Sequence, residues 1–282
     1  MKRLLLVLAA TSVLAAFAGA QAPQTRTIHI SVTDDEGAPV TGLAAADLSV
    51  VEDGVGRPIV GVTNATAPMT VGLVLDDRAL WAPPVRDSVR AFARTVSGKA
   101  AVGLFSYSRP EWTVLDFTRD NGTVERAIDA MAAVPTGTND PEGLLQTLAR
   151  RFRKQESVHP VLVVLTFGSP TCAPRNCPSS VAPRWDLVLD DLLRSGTTVY
   201  AVGTNPIEPA HLIYAAADAT GGATERLLTD TAVSQAMRRT ADSILSQQAV
   251  TYTSIDAPRD GFKVRVTATR PGLHVRAPQR VF

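Results

Sequence analysis

The sequence predicts an α/β protein: a doubly wound, mostly parallel sheet flanked by helices, joined to a small β-sandwich built from strands at both ends of the chain. Three observations predict it. Two continuous apolar runs, residues 70–75 and 159–166, read as strands buried on both faces. Between residues 70 and 248, strand-like runs alternate with helical patterns, which implies parallel strands with helical crossovers. At both ends, apolar and polar residues alternate, with Ile28, Ile30 and Val32 sharing one strand face and Phe262, Val264 and Val266 another.

The N-terminal elements come first. Residues 1–20 read as a secretory leader: Lys2-Arg3, an apolar core from Leu4 to Phe17, then the small-x-small site Ala18-Gly19-Ala20. Its apolar run is short for a bilayer span, and an uncleaved anchor is the alternative. No Cys follows the site and no later stretch is long enough to span, so the expectation is an exported protein, periplasmic or extracellular, with no membrane span after cleavage. Residues 27–33 form a half-buried strand, closed by the turn signal Asp34-Asp35-Glu36-Gly37. Residues 46–52 read as a second strand, ended by Asp53-Gly54, and residues 59–62 as a third. Three short strands cannot complete a core and need partners.

The α/β pattern follows. Pro83-Pro84 opens a helix whose inward face is Val85, Val89, Phe92 and Val96. Residues 101–107 and 112–117 are strands linked around Arg109-Pro110, too short a link for anything but an antiparallel pair at a sheet edge. Val124, Ala127, Ile128 and Met131 mark a helix. Asp140 is placed to cap the next helix, with Pro141 in its first turn and Leu144, Leu145, Leu148 and Phe152 inward. After the apolar strand at 159–166 comes a long loop, residues 167–183. A helix through Trp185 and Leu192, a strand at 197–202, a helix at 209–219 ended by Thr220-Gly221-Gly222, and a strand at 223–228 complete the sheet. Asp230 is expected to cap a last helix through Val233, Met237 and Ile244. Strands at 250–255 and 262–268 are expected to pack with the N-terminal strands. The domain boundaries are therefore 1–20 for the leader, 21–68 for an N-terminal β segment, 69–248 for the α/β domain and 249–282 for a C-terminal β segment.

Composition narrows the function classes. The 282 residues allow one large or two modest domains. The 28 basic and 27 acidic residues nearly cancel, and without Lys2 and Arg3 the count is 26 against 27. That balance supplies no bulk attraction to nucleic acid or an anionic membrane. The two cysteines, Cys172 and Cys177, lie in the long loop. In an oxidising compartment such a pair is expected to form a disulfide. A metal knuckle would need two more soft ligands, and a redox pair the Cys-x-x-Cys spacing.

The run Thr70-Val71-Gly72-Leu73-Val74-Leu75-Asp76, followed by Asp77-Arg78-Ala79-Leu80, resembles the first strand and following loop of the von Willebrand factor type A domain. The resemblance implies a doubly wound, Rossmann-like fold. That family often binds a divalent cation through Asp-x-Ser-x-Ser, a Thr from a second loop and an Asp after the fourth strand. The matching positions here are Asp76, Arg78, Leu80, Thr138 and Phe167. Only Asp76 and Thr138 keep the family's ligand type, and Arg78 brings a positive charge to the site. A hard cation needs several oxygen ligands, so the expectation is a degenerate, metal-free site with no cofactor. The alternative is a rearranged Mg²⁺ or Ca²⁺ site that adds Asp77 and Asp140 to Asp76 and Thr138. Further matches, Val32-Thr33-Asp34 with Gly37 to Leu43 and Asp47 to Gly54, are similar to an exported type A subfamily of acidobacteria and related bacteria.

Enzyme signatures are missing from the sequence. It has no Gly-x-Ser-x-Gly elbow and no phosphate-binding Gly-rich loop. The histidines, His29, His159, His211 and His274, fall in different elements without ligand spacing and are expected as surface or strand-end residues. The sequence therefore points to a non-enzymatic, exported, adhesion-like module that binds a protein partner its residues do not identify. Its face would be the C-terminal edge of the sheet, with Asp76, Asp77, Arg78, Thr138, Asp140 and Phe167 as candidates. A cation-dependent adhesin and a structural subunit of a cell-envelope complex are the alternatives.

Overall fold

The structure is a computed structural model that describes residues 24–65, 68–76, 83–107, 109, 111–132, 140–156, 159–166, 182–203, 212–227, 232–255 and 258–282. The chain opens with β1 (Gln24–Thr33), β2 (Leu48–Glu52), β3 (Val55–Arg57) and β4 (Ile59–Asn64). The α/β unit follows: β5 (Met69–Leu75), α1 (Pro83–Ser97), β6 (Ala100–Ser106), β7 (Thr113–Thr118), α2 (Asn121–Ala130), α3 (Pro141–Lys154), β8 (His159–Thr166), α4 (Ala182–Arg194), β9 (Thr198–Gly203), α5 (Leu212–Ala219), β10 (Thr224–Arg226) and α6 (Val233–Leu245). The chain returns to strands with β11 (Gln248–Ser254), β12 (Phe262–Ala268), β13 (His274–Arg276) and β14 (Arg280–Val281).

The central sheet has the order β10-β9-β8-β5-β6-β7. All its neighbours pair in parallel except β6 and β7, the antiparallel edge that the short link demands. Alternation along the buried strands divides two cores. Val71, Leu73 and Leu75 of β5 face α1, α2 and α6, while Val74 faces the core that includes Leu145, Phe152, Val188 and Tyr214. On that second face Gly72 and Gly103 are paired neighbours. A Cβ at Gly72 would stand 2.7 Å from Leu162 Cδ2, and one at Gly103 2.8 Å from the Phe105 ring. Their missing side chains leave room for the aromatic layer of Phe105, Phe117 and Phe152.

The two ends of the chain interleave rather than sit side by side. One antiparallel sheet has the order β13-β1-β11-β4 and the other β14-β12-β2-β3, so each takes strands from both ends. They enclose a third core that includes Ile30, Val50, Val250, Tyr252 and Phe262. Neither terminal segment could bury these faces alone. Several short elements were not legible in the sequence: the 3-10 turn Ala45–Asp47 stands where the second strand was expected to begin, and β3, β13 and β14 are additions. The α6 helix has Ala232 as its N-cap residue, and the expected cap Asp230 lies outside the described residues.

The sandwich and the α/β unit meet at the N-terminal edge of the central sheet. The Thr220–Pro278 bridge and the bond from Gln279 N to Ala219 O (2.8 Å) tie the end of α5 to the chain before β14. Gly221, at φ +79°, sits so close to this chain that a Cβ would lie 2.5 Å from the Ala277 carbonyl carbon. Only glycine fits both that backbone conformation and that approach.

Candidate functional site

The C-terminal edge of an open α/β sheet is where such folds place their ligands. In parallel register Leu75 stands beside Ser106 on one side and Leu165 on the other. Asp76 therefore projects one residue past the paired strands, level with Tyr107 and Thr166. Its N–H donates to Leu165 O at 3.1 Å, extending the ladder past the strand. The side chain of Asp76 is only 3% exposed. Ser106, Tyr107 and Thr166 beside it are buried as well. The sequence reading missed these three, whose position depends on the register of separate strands.

Asp140 arrives at the same edge from α3. Its Oδ1 accepts from Gly143 N at 2.9 Å, the expected N-cap, and its own N–H donates to Tyr107 O at 3.4 Å. Glu142 is buried in the first turn of the same helix, where the unpaired N–H groups favour negative charge. Asp76 and Asp140 are thus the two predicted residues that the fold brings to one edge. Asp77, Arg78, Thr138, Phe167 and the pair Cys172 and Cys177 lie outside the described residues, as do His211 and the leader at residues 1–20. Among the described residues, no group of three or more His, Cys, Asp or Glu side chains could hold a metal ion.

The opposite edge holds a constellation that sequence spacing gave no sign of. His29 of β1 and His159 of β8 stack face to face, with ring centroids 3.8 Å apart and planes 7° from parallel. His159 is a strand-end residue, as expected, at the start of β8, but it is fully buried, and His29 is partly buried against it. His159 Nε2 bonds to Gln247 Oε1 at 2.7 Å, while His159 Nδ1 is buried with no hydrogen-bond partner. Burial pulls the His29 imidazole down from 6.5 to about 3, with repulsion from His159 adding to the effect. Burial likewise lowers His159, against a smaller opposing contribution from its bond to Gln247. Both rings are therefore held neutral at neutral pH. Nearby, the buried Tyr200 hydroxyl joins β9 to Ser31 of β1 at 3.3 Å and to Ser243 of α6 at 3.4 Å.

No protein-family model matches the chain. No curated protein matches it either. Among solved structures, the minor pilin PilB from Streptococcus sanguinis superposes with a TM-score of 0.50 at 11% identity, over 65% of this chain and 63% of the pilin. A von Willebrand factor type A protein from Catenulispora acidiphila aligns over 94% of this chain and 75% of its own, with a TM-score of 0.48 and 10% identity. Proximal thread matrix protein 1 from the mussel byssus aligns over 64% and 49%, with a TM-score of 0.47 and 13% identity. The chain thus spans less than two thirds of the pilin's length, and at such identity the likeness bears on the fold alone. Among the described residues, no helix is long and apolar enough to cross a membrane. The α/β unit is thus a doubly wound, mostly parallel sheet with an antiparallel edge strand, β7, and an Asp at the C-terminal end of its central strand β5, the architecture that the resemblance in the sequence implies.

Proposed function

We propose that this chain is an exported, non-enzymatic protein-binding module whose recognition face is the C-terminal edge of the central sheet. The observation that carries the reading is the convergence of Asp76 and Asp140 on that edge, joined through Tyr107. Contact with a partner would then rest on direct polar and apolar interactions from the loops after β5, before α3 and after β8. Arg78, in the first of these loops, is suited to an acidic partner. A Cys172–Cys177 disulfide would stiffen the third loop and reduce the entropy lost on binding. Export rests on the leader at residues 1–20.

A second reading is favoured by one observation. Asp76, at the position of the family's first cation ligand, is a buried carboxylate at the ligand edge. That reading is a cation-dependent adhesin with a rearranged site. Thermal unfolding of the mature protein in EDTA, then in excess Mg²⁺, Ca²⁺ or Mn²⁺, separates the two, because a ligand that binds only the folded state raises the midpoint. The metal-free reading expects equal midpoints. A rise that disappears in Asp76→Ala would replace it with the adhesin. Crosslinked partners recovered from envelope extract should be lost on Arg78→Glu and kept on a remote change such as Arg126→Glu. Equal recovery with both variants would remove this edge as the recognition face.

A further inference from the structure

At the far end of the molecule from the proposed recognition face, a cleft of about 180 Å³ opens between the sandwich and the α/β unit. Its walls come from β1, the turn between α4 and β9, the start of β9, and β14. Arg26, His29, Arg194, Thr198 and Arg280 contribute to the lining, and no Asp or Glu side chain does.

The charges around the cleft do not balance. Arg194 is satisfied: Nε donates to Asp190 Oδ2 at 2.6 Å, Nη2 donates to Arg259 O at 2.7 Å, and the guanidinium lies 4.0 Å from the Phe282 ring centroid. Arg26 is not. The buried Glu52 carboxylate serves two guanidiniums, with Arg57 Nε at 2.8 Å and Arg26 Nη1 at 3.7 Å. That trio carries one surplus positive charge, and Arg26 Nη1 is buried without a hydrogen-bond partner. Among the described residues Arg280 forms no ion pair, although Asp186 and Asp190 line the groove on its other side. Directly across from it on β12 stands Lys263, a second cation. The ring nitrogens of His29 and the hydroxyl of Thr198 have no hydrogen-bond partners among the described residues.

We propose that this cleft binds a small anion bearing a phosphate or carboxylate group, held by Arg280 and the surplus charge at Arg26, with His29 and Thr198 as neutral donors. Guanidinium groups suit both oxyanions because their N–H pairs match two oxygens at once. The cleft is smaller than the roughly 300–1,000 Å³ of sites for drug-sized ligands, so it admits one headgroup rather than an extended molecule. Because both units wall the cleft, an anion bound there would also bridge them.

The test is thermal unfolding of the full chain at pH 7.5 and constant ionic strength in sodium chloride, sodium phosphate or sodium malonate. A saturable rise in the midpoint with phosphate alone identifies a phosphate-bearing ligand, and with malonate alone a carboxylate. Isothermal titration with the effective anion should then show at least a tenfold loss of affinity in Arg280→Gln. His29→Phe, which keeps the stacked ring and removes the donor, should weaken binding too. Arg90→Gln, on α1 and away from the cleft, should bind as the unaltered chain does. Equal midpoints in the three salts would overturn the proposal. So would a shift that survives both Arg280→Gln and His29→Phe, since it would report general screening of charge.

Discussion

Acid should loosen this protein well before its carboxylates titrate, and the cause should be the stacked histidines. An unfolded His29 takes a proton near 6.5, whereas in the fold it does so only at about 3. Between these values the unfolded chain binds more protons than the native one, so stability falls as pH falls and is fully present above 6.5. Each pH unit in that window costs about 1.4 kcal/mol for His29. Lowering the pH from 7.5 to 5.0 crosses about 1.5 units of it, or about 2 kcal/mol. His159 is shifted in the same direction and adds to the loss. For a chain of this size, about 2 kcal/mol lowers the unfolding midpoint by about 4–8 °C. Glu125, which its bond to Arg94 lowers from 4.5 to about 2, gives up its contribution only as the pH falls from 4.5 towards 2, below the pH range assayed. The assay is denaturant unfolding at pH 7.5, 6.5, 5.5 and 5.0, for the unaltered chain and for His29→Phe. Phenylalanine keeps a flat ring over His159 and cannot take a proton, so its pH slope should be shallower by about 1.4 kcal/mol per unit. Parallel profiles for the two proteins, or no loss of stability by pH 5.0, would refute the reasoning.

Other perturbations probe the sandwich, the junction and the edge. Glu52→Ala strands two guanidiniums and the hydroxyls of Tyr252 and Ser254, which bond to its carboxylate at 2.9 and 2.7 Å. It should cost about 3–5 kcal/mol, far more than Asp129→Ala at the exposed pair with Arg90, where solvent screens the charges. Denaturant titrations compare them, and equal costs would mean that the buried network contributes nothing special. Gly221→Ala should lower stability by at least about 1–3 kcal/mol, because it combines positive φ with a backbone collision; a thermal scan unchanged from the parent would contradict the close approach of α5 and the chain before β14. Asp140→Ala should remove about 1 kcal/mol through loss of the α3 cap, while Asp140→Asn should recover most of it. Failure of Asn to recover it would assign the Asp140 charge a role beyond capping.

The residues that made the α/β architecture legible were those whose pattern is local. The unbroken apolar runs of β5 and β8 need two covered faces whatever lies around them, and helices on both sides supply these. Asp140 followed by Pro141 is a capping pattern complete within a few residues, and the structure forms that cap. The tight link between β6 and β7 permits only an antiparallel pair. Short pieces such as β3 and β14 were not legible. Two or three residues carry no period, and their strand character comes from the neighbours they find.

The sequence by itself determined which of the longer segments become strands and helices, that the two ends must seek each other, and that Asp76 closes a central strand. Local sterics and apolar periodicity are sufficient for that. Tertiary structure decided what no spacing could encode: the interleaving of the end strands in both sheets, and the level of Asp76 beside Tyr107 and Thr166. It also set His29 against His159 and left Arg26 and Arg57 to share one buried Glu52. These depend on register between strands far apart in the chain. There a shift of one residue turns every side chain to the opposite face. The charges and rings that meet are therefore fixed only when the whole fold closes.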